Sequence, residues 1–288
     1  MRTKVLTAAG LLLLAAVPVV LVLSGRTELR TSADEEAGPV PLAAVVVPVL
    51  AALLLTRLVP PRLPGLPSVD PGERAVYRRQ AVGLTLIALV FPVVAVVVFA
   101  VPDGGLFYGP VKVALLIGVS WLVLRRWPAP SPAAAHRALL PRRWYLFGAV
   151  PAVLAWGYLL YYSPLAGDRD MSGYEAYDPA VLVGAAVLTF LTASVTEEIF
   201  YRVFLQTRLE VLLGRWPAIV ATALLFAAMH VHRFGTGPFG ENLAVILAWN
   251  GGFGLLTGYL WARYRNVWVL IVVHGAVNSM GLLPLLFG

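Results

Sequence analysis

Long apolar runs dominate this chain and restrict the folds it can adopt. Of its 288 residues, 59% are hydrophobic and only 13% are charged, whereas soluble domains carry about 25% charged residues. A helix needs about 20 apolar residues to cross the hydrocarbon core of a bilayer. The sequence therefore predicts an all-α fold, a polytopic transmembrane helical bundle of about eight or nine spans. The nine candidate spans are Val5–Ser24, Val40–Val59, Ala81–Val101, Leu106–Leu124, Trp144–Tyr162, Ala180–Phe204, Trp216–His230, Leu243–Ala262 and Val267–Phe287.

Two of these runs admit a second interpretation. Arg2 and Lys4 precede the first run, as in a signal peptide, but the run is long for one and lacks an Ala-x-Ala cleavage site. This favours an uncleaved first span. The sixth run has an amphipathic continuation in Leu205–Leu213 that extends the helix.

The positive charges fall mainly in the loops between the apolar runs. With a cytoplasmic N-terminus, 17 of the 22 Lys and Arg residues lie on the cytoplasmic side and four on the other, while Lys112 lies within a span. Such a bias sets membrane orientation. We therefore expect a multi-pass protein of the plasma membrane with an exterior C-terminus and the lipid bilayer as its partner. Basic patches interleaved with aromatic residues do not appear in the sequence, which argues against a nucleic-acid partner. The preference for Arg over Lys is typical of a GC-rich bacterial genome.

Two adjacent carboxylates interrupt the sixth span. Glu197 and Glu198 lie in apolar sequence, and Arg202 follows four residues after Glu198. A charge at membrane depth costs at least about 2.5 kcal/mol and usually marks function. Residues at i and i+4 share a helix face, so Glu198 and Arg202 are expected to pair as supporting residues. Glu197 then faces elsewhere and is expected to be free for general-base catalysis. The alternative is a salt-bridged cluster of all three that only locks helices together, although one arginine would leave it an excess negative charge.

Histidines in the last third of the chain add polar groups to apolar segments. His230 ends the seventh span, and His274 and Asn278 share one face of the ninth at i and i+4. Both could donate hydrogen bonds to one developing oxyanion, although a lone membrane histidine more often bonds a neighbouring carbonyl. Glu197, His230, His274 and Asn278 are therefore the candidate catalytic residues. His136, in a predicted loop, is expected to be solvated.

A metal is compatible with these residues, but their spacing does not indicate one. The chain has no cysteine and no His-Glu-x-x-His motif. Glu197, His230 and His274 are acceptable zinc ligands and would be the ligands if a metal were present. A water activated by glutamate needs no metal, and this version is favoured. In the eighth span, Gly254-x-x-x-Gly258 is expected to be a packing surface.

Three motifs resemble those of the CPBP family, the intramembrane CAAX-protease and bacteriocin-processing proteins also called Abi proteins. The family pattern is Glu-Glu-x-x-x-Arg, then Phe-x-x-x-His, then His-x-x-x-Asn or Asp. The corresponding residues, in the same order within Val181–Leu283, are Glu197-Glu198-x-x-x-Arg202, Phe226-x-x-x-His230 and His274-x-x-x-Asn278. Three such motifs in apolar segments are far more specific than any one alone.

The resemblance implies a membrane-embedded endopeptidase of the glutamate or metallo type. In such proteins the first Glu and the first His activate the attacking water, which here are Glu197 and His230. The last His and Asn stabilise the oxyanion, which here are His274 and Asn278. Bacteria generally lack the prenylated CAAX substrate of the eukaryotic relatives, so a membrane-associated peptide or protein is the expected substrate. Because the motifs fall late in the chain, we expect accessory helices in residues 1–143 and a catalytic core in residues 144–288.

Two other function classes stay open at this point. A non-catalytic immunity or scaffold protein would keep the motifs for folding alone. A proton-coupled transporter would use the two glutamates as a relay, but such proteins often show internal repeats, and none is visible in this sequence.

The catalytic interpretation also sets a geometric condition. In straight spans with the limits given above, Glu197 would lie near the cytoplasmic end and His230 nearer the exterior. A tilted or broken helix, or shifted span limits, must bring the two residues level. Non-helical backbone at membrane depth is tolerated where it lines a cavity.

Overall fold

Helices make up almost all of this multi-pass membrane protein. The computed structural model describes residues 2–32, 37–60, 65, 69–168, 170–233 and 238–287. The main helices are α1 (Arg2–Leu23), α2 (Leu42–Leu58), α3 (Pro71–Ala100), α4 (Gly105–Arg126), α5 (Pro132–Ala138), α6 (Arg142–Tyr161), α7 (Pro179–Leu213), α8 (Arg215–Ala228), α9 (Phe239–Tyr264) and α10 (Val267–Leu286). Two-residue strands, β1 (Glu28–Leu29) and β2 (Val40–Pro41), pair antiparallel between α1 and α2.

The predicted all-α bundle is confirmed. Among the described residues, seven helices are long and apolar enough to cross a membrane, and α2 and α8 are apolar but shorter. The helix limits differ most from the prediction at α3, which begins at Pro71 and not at Ala81. Hydropathy falls where charged residues begin, but the helix continues because Tyr77 and Gln80 of this added segment are buried. At α7 the predicted extension to Leu213 is present.

Local sequence sets the limits of the two helices that carry most of the motifs. Asp178 caps α7, because its Oδ1 accepts a hydrogen bond from the backbone N–H of Ala180 at 2.7 Å. Gly214 adopts a φ of +88° and turns the chain from α7 into α8, a conformation that favours glycine. Asn266 caps α10 by accepting from the N–H groups two and three residues later, at 3.2 and 3.4 Å.

Helix α9 lies at the centre of the bundle. Its most apolar 18-residue window is 61% buried, against 17–28% for the other helices of membrane-spanning length. The predicted packing surface faces α8. A methyl group added to Gly254 would lie 3.1 Å from Cα of Ala223, and one added to Gly258 would lie 3.3 Å from Cγ2 of Ile219. These small residues let the two helices approach closely.

A buried polar cluster lies at the C-terminal end of α7. Arg265, which follows α9 in a left-handed conformation, donates to Nδ1 of His136 at 2.8 Å and pairs with Glu210 of α7. His136 is only 1% exposed. The prediction that it is solvated is therefore wrong, because α5 folds back against the bundle and does not extend into solvent as a loop.

Candidate active site

The two glutamates lie near the middle of α7, as the nineteenth and twentieth of its 35 residues. Glu197 is 1% exposed and Glu198 is 0% exposed. Wider π-helical turns flank them at Phe190–Val195 and Ile199–Gln206, a feature that is frequent at functional sites. The two glutamates lie in the interior of the helix because α7 continues to Leu213, as predicted.

The predicted pair of Glu198 and Arg202 is present. Nε of Arg202 donates to Oε2 of Glu198 at 3.1 Å, and both side chains are fully buried. The guanidinium also donates to the hydroxyls of Thr257 at 2.8 Å and Thr222 at 3.4 Å, and it lies 5.4 Å from the ring centroid of Phe226. Arg202 therefore connects α7 to α8 and α9, which is a supporting role.

A lysine from α4 pairs with Glu197, a partner that the sequence reasoning missed. Nζ of Lys112 donates to Oε1 of Glu197 at 2.5 Å, and Lys112 is only 3% exposed. Its ammonium lies 4.8 Å from the ring centroid of Tyr108, one turn earlier on α4. The sequence suggested that Glu197 has no partner, whereas the structure pairs it with Lys112. The sequence feature that could have indicated Lys112 is its position inside an apolar span, because a charged residue there is itself a mark of function.

His274 lies between the two carboxylates. Its Nδ1 is 2.9 Å from Oε1 of Glu198, and its Nε2 is 3.9 Å from Oε2 of Glu197. A carboxylate oxygen accepts hydrogen bonds, so Nδ1 carries the proton that this contact requires. The ring therefore has one nitrogen engaged by the supporting glutamate and the other directed to Glu197.

One oxygen of Glu197 differs from the other carboxylate oxygens of Glu197 and Glu198. Its Oε2 is buried and makes no hydrogen bond with the described residues, whereas Oε1 accepts from Lys112. Both oxygens of Glu198 have partners, in Arg202 and His274. Among the described residues it is the only buried carboxylate oxygen without a hydrogen bond, and a water molecule is one partner that such an acceptor can take.

His230 joins this group through a shared aromatic neighbour. It follows the end of α8, and its Nδ1 donates to the carbonyl oxygen of Phe226 at 2.8 Å. This is the carbonyl bond common for membrane histidines, and it places a proton on Nδ1 because a carbonyl oxygen only accepts. The ring of Phe226 lies 5.0 Å from that of His230 and 5.9 Å from that of His274. The histidines of the second and third motifs therefore come together around the ring of Phe226.

Asn278 occupies the outer edge of the group. Its Nδ2 donates to Oγ of Ser194 on α7 at 3.1 Å. It also lines a cleft of about 290 Å³ that extends outwards to Trp249, Thr31 and Asp170. The hydrogen bonds from the hydroxyl and backbone N–H of the nearby Ser172 lower the pKa of Asp170, so the cleft carries a negative charge at its outer end.

The close approach of α7 and α10 depends on a glycine. A methyl group on Gly275 would lie 2.9 Å from Cδ2 of Phe190. With hydrogen in its place, α10 lies directly against α7. This contact brings His274 to the glutamates and Asn278 to Ser194.

These residues do not fit a metal centre. The described part of the chain has no group of three His, Asp or Glu side chains placed to hold one ion. An ion bound at Glu197 would also lie beside the ammonium of Lys112, which already occupies Oε1. The set Glu197, His230 and His274 is therefore not arranged as a zinc site.

The comparison with protein families agrees with the arrangement of these motifs. Residues 179–280 match the family model described as type II CAAX prenyl endopeptidase Rce1-like. This part of the chain is an Rce1-like domain. The predicted resemblance to the CPBP family is confirmed, and the domain is that of an intramembrane protease family. No curated protein and no solved structure matches the chain.

The Rce1-like domain covers about a third of the chain and contains all four candidate catalytic residues. It runs from the start of α7 into α10 and so includes Arg202, the support of Glu198. Lys112 lies outside it, on α4. The partner of Glu197 is therefore supplied by the half of the chain that carries none of the family motifs.

Proposed function

We propose that the protein is an intramembrane endopeptidase that hydrolyses a peptide bond in a membrane-associated peptide or protein by means of a water molecule activated by Glu197. The observation that carries this proposal is the state of its Oε2, which is buried, lacks a hydrogen bond from the described residues, and lies 3.9 Å from Nε2 of His274. A buried acceptor without a partner costs about 1–3 kcal/mol. A water that hydrogen-bonds to this oxygen would remove that cost, and it would lie where Glu197 can take its proton.

Glu197 acts as the general base. Because Lys112 occupies Oε1, Oε2 is the oxygen that takes a proton from the water as the new C–O bond forms. We assign His230 to orienting the same water, because the rings of His230 and His274 both lie against Phe226. A positioned base of this kind contributes about 10²–10⁴-fold to the rate.

His274 and Asn278 stabilise the oxyanion of the tetrahedral intermediate. The amide of Asn278 has two N–H groups. One is given to Ser194, which leaves the second for the substrate. Nδ1 of His274 donates a hydrogen bond to Glu198. Donation of a second hydrogen bond to the oxyanion therefore requires a proton on Nε2 as well. The negative charge that develops on the oxyanion would offset that of the second proton, since Glu198 is already paired with Arg202. Removing one oxyanion donor typically costs about 10²–10³-fold in rate.

The reaction then completes with the atoms already named. As the oxyanion collapses and the C–N bond breaks, the proton held by Glu197 passes to the leaving amine. The carboxylate is restored beside Lys112. We infer the glutamate type of chemistry and not the metallo type, because the donor set does not fit a metal.

The charge bias supports an orientation for this chemistry. We infer a plasma-membrane protein with a cytoplasmic N-terminus and an exterior C-terminus, as the distribution of Lys and Arg favours. The cleft beside Asn278 is lined by the segments that follow α1 and α6. In this orientation it opens on the exterior side, and the substrate reaches Asn278 from there.

The decisive experiment compares cleavage of a quenched-fluorescent peptide library by the detergent-purified wild type, Glu197→Gln and Glu175→Gln. Glu175 is an exposed glutamate of the loop before α7 and serves as the matched control. We expect Glu197→Gln to fold and to lose cleavage, with a lower thermal unfolding temperature because Lys112 is left buried without its partner, and Glu175→Gln to keep the cleavage and the stability of the wild type.

Equal cleavage by the wild type and Glu197→Gln would refute Glu197 as the base. A cellular phenotype that survives Glu197→Gln would favour the scaffold alternative. Ion-dependent flux in proteoliposomes, lost in the same variant, would favour the transporter.

A further inference from the structure

Lys112 is a buried cation in direct contact with the proposed base. It lies on α4, 85 residues before Glu197 in sequence, and contacts Oε1 of that residue at 2.5 Å. Both side chains are almost fully buried. A buried charge without a partner is strongly unfavourable, so each residue accounts for the burial of the other.

Lys112 contacts only one of the two carboxylate oxygens of the proposed general base. A lysine ammonium has three protons and could lie across both oxygens of a carboxylate. Here Nζ bonds Oε1 alone, and Oε2 is left facing Nε2 of His274. The orientation of the carboxylate, and not only its charge, therefore depends on the position of Lys112.

The position of Lys112 is itself fixed by aromatic packing. Its ammonium lies 4.8 Å from the ring centroid of Tyr108, within the range of a cation–π contact. The Tyr108 ring lies 4.9 Å from the ring of His232, and Phe99 stacks on His232 at 5.0 Å. Side chains of α3, α4 and the turn after α8 thus hold the lysine in place.

We propose that Lys112 is a positioning residue for the general base, which engages Oε1 of Glu197 and so directs Oε2 towards the reacting water. This inference rests on the proposed function, since it concerns the same base. It implies that the Rce1-like domain is incomplete without α4. The accessory half of the chain then contributes a residue on which turnover depends.

The experiment measures kcat and KM for a cleaved peptide with Lys112→Met, Lys112→Arg, Glu197→Gln and Lys4→Met in the full-length protein. Lys4 is the only other lysine of the chain and is exposed near the N-terminus, so Lys4→Met is the matched control and should behave as wild type. We expect Lys112→Met to lower kcat by about 100-fold or more with KM changed by no more than about twofold, as for loss of a correctly placed base. Lys112→Arg keeps the charge and should lie between Lys112→Met and the wild type, at least about tenfold below the latter.

The outcomes separate the two proposals. If Glu197→Gln is inactive but folded Lys112→Met has the kcat of the wild type, the role of Lys112 is refuted and the proposed function stands. If Glu197→Gln is fully active, the proposed function itself fails. A loss in Lys112→Met that appears only in KM would also overturn the positioning role.

A folding defect does not prevent the test. If Lys112→Met does not fold, Lys112→Arg decides, because it retains the buried charge that the fold requires. A kcat equal to that of the wild type in folded Lys112→Arg would show that the placement of the ammonium does not matter, and would refute the proposal. A kcat at least about tenfold lower, with KM little changed, would support it.

Discussion

Replacing Arg202 by methionine tests the supporting half of the site through stability. Arg202 is completely buried and donates to Glu198, Thr257 and Thr222 at 3.1, 2.8 and 3.4 Å. The variant leaves the carboxylate of Glu198 buried without its cation, and breaking a buried pair from one side costs about 3–5 kcal/mol. The two hydroxyls also lose a charged donor. We therefore expect the free energy of unfolding to fall by about 4 kcal/mol, a large part of the 5–15 kcal/mol that typically stabilises a folded protein.

The assay is reversible unfolding in mixed detergent micelles, with Arg78→Met as the control. Arg78 is exposed on α3, and a substitution at such a site usually changes stability by no more than about 0.5 kcal/mol. The double variant Arg202→Met with Glu198→Gln removes both charges and should recover much of the loss. If Arg202→Met is no less stable than Arg78→Met, the buried pair does not support the fold and the division of roles between the two glutamates is wrong.

Three further predictions concern activity. Gly275→Ala should lower kcat by about 100-fold, because its methyl group would lie 2.9 Å from the Phe190 ring and push α10 from α7. Gly184→Ala, at an open position on α7, is the control in the same peptide assay. Equal rates for the two variants would contradict this reasoning. Asn278→Ala should lower kcat by about 10²–10³-fold with little change in thermal unfolding; a change in KM alone would instead indicate a role in binding substrate in the cleft. Dialysis against a chelator should leave peptide cleavage unchanged, because the donors around Glu197 do not fit a metal; activity that is lost and then restored by added zinc would refute this.

What could be predicted from the sequence was local. The i to i+4 relation of Glu198 and Arg202 holds on any helix, and the pair is present at 3.1 Å. The helices themselves followed from runs of apolar residues, because the bilayer requires them. The packing face of Gly254 and Gly258 followed from residue size at a helical spacing.

What could not be predicted depends on contacts between distant parts of the chain. Lys112 and Glu197 are 85 residues apart, and Arg265 and His136 are 129 apart. The periodicity of apolar residues in one helix does not indicate which residues of another helix it contacts. Hydropathy also marks where charges begin and not where backbone hydrogen bonding ends, so α3 begins at Pro71 and not at the predicted Ala81.

The balance of charge shows why two adjacent glutamates need not share one role. From the sequence, two carboxylates met one arginine, and a cluster that only locked helices would have been left with an excess negative charge. Lys112 removes that excess, so the cluster is neutral when the imidazoles are neutral, and neutrality alone would also suit a structural lock. The difference lies in the oxygens. Both oxygens of Glu198 are satisfied, by Arg202 and His274, whereas Glu197 keeps one buried oxygen without a hydrogen bond from the described residues. A lock would gain stability by engaging that oxygen, and a base must leave it available to the water.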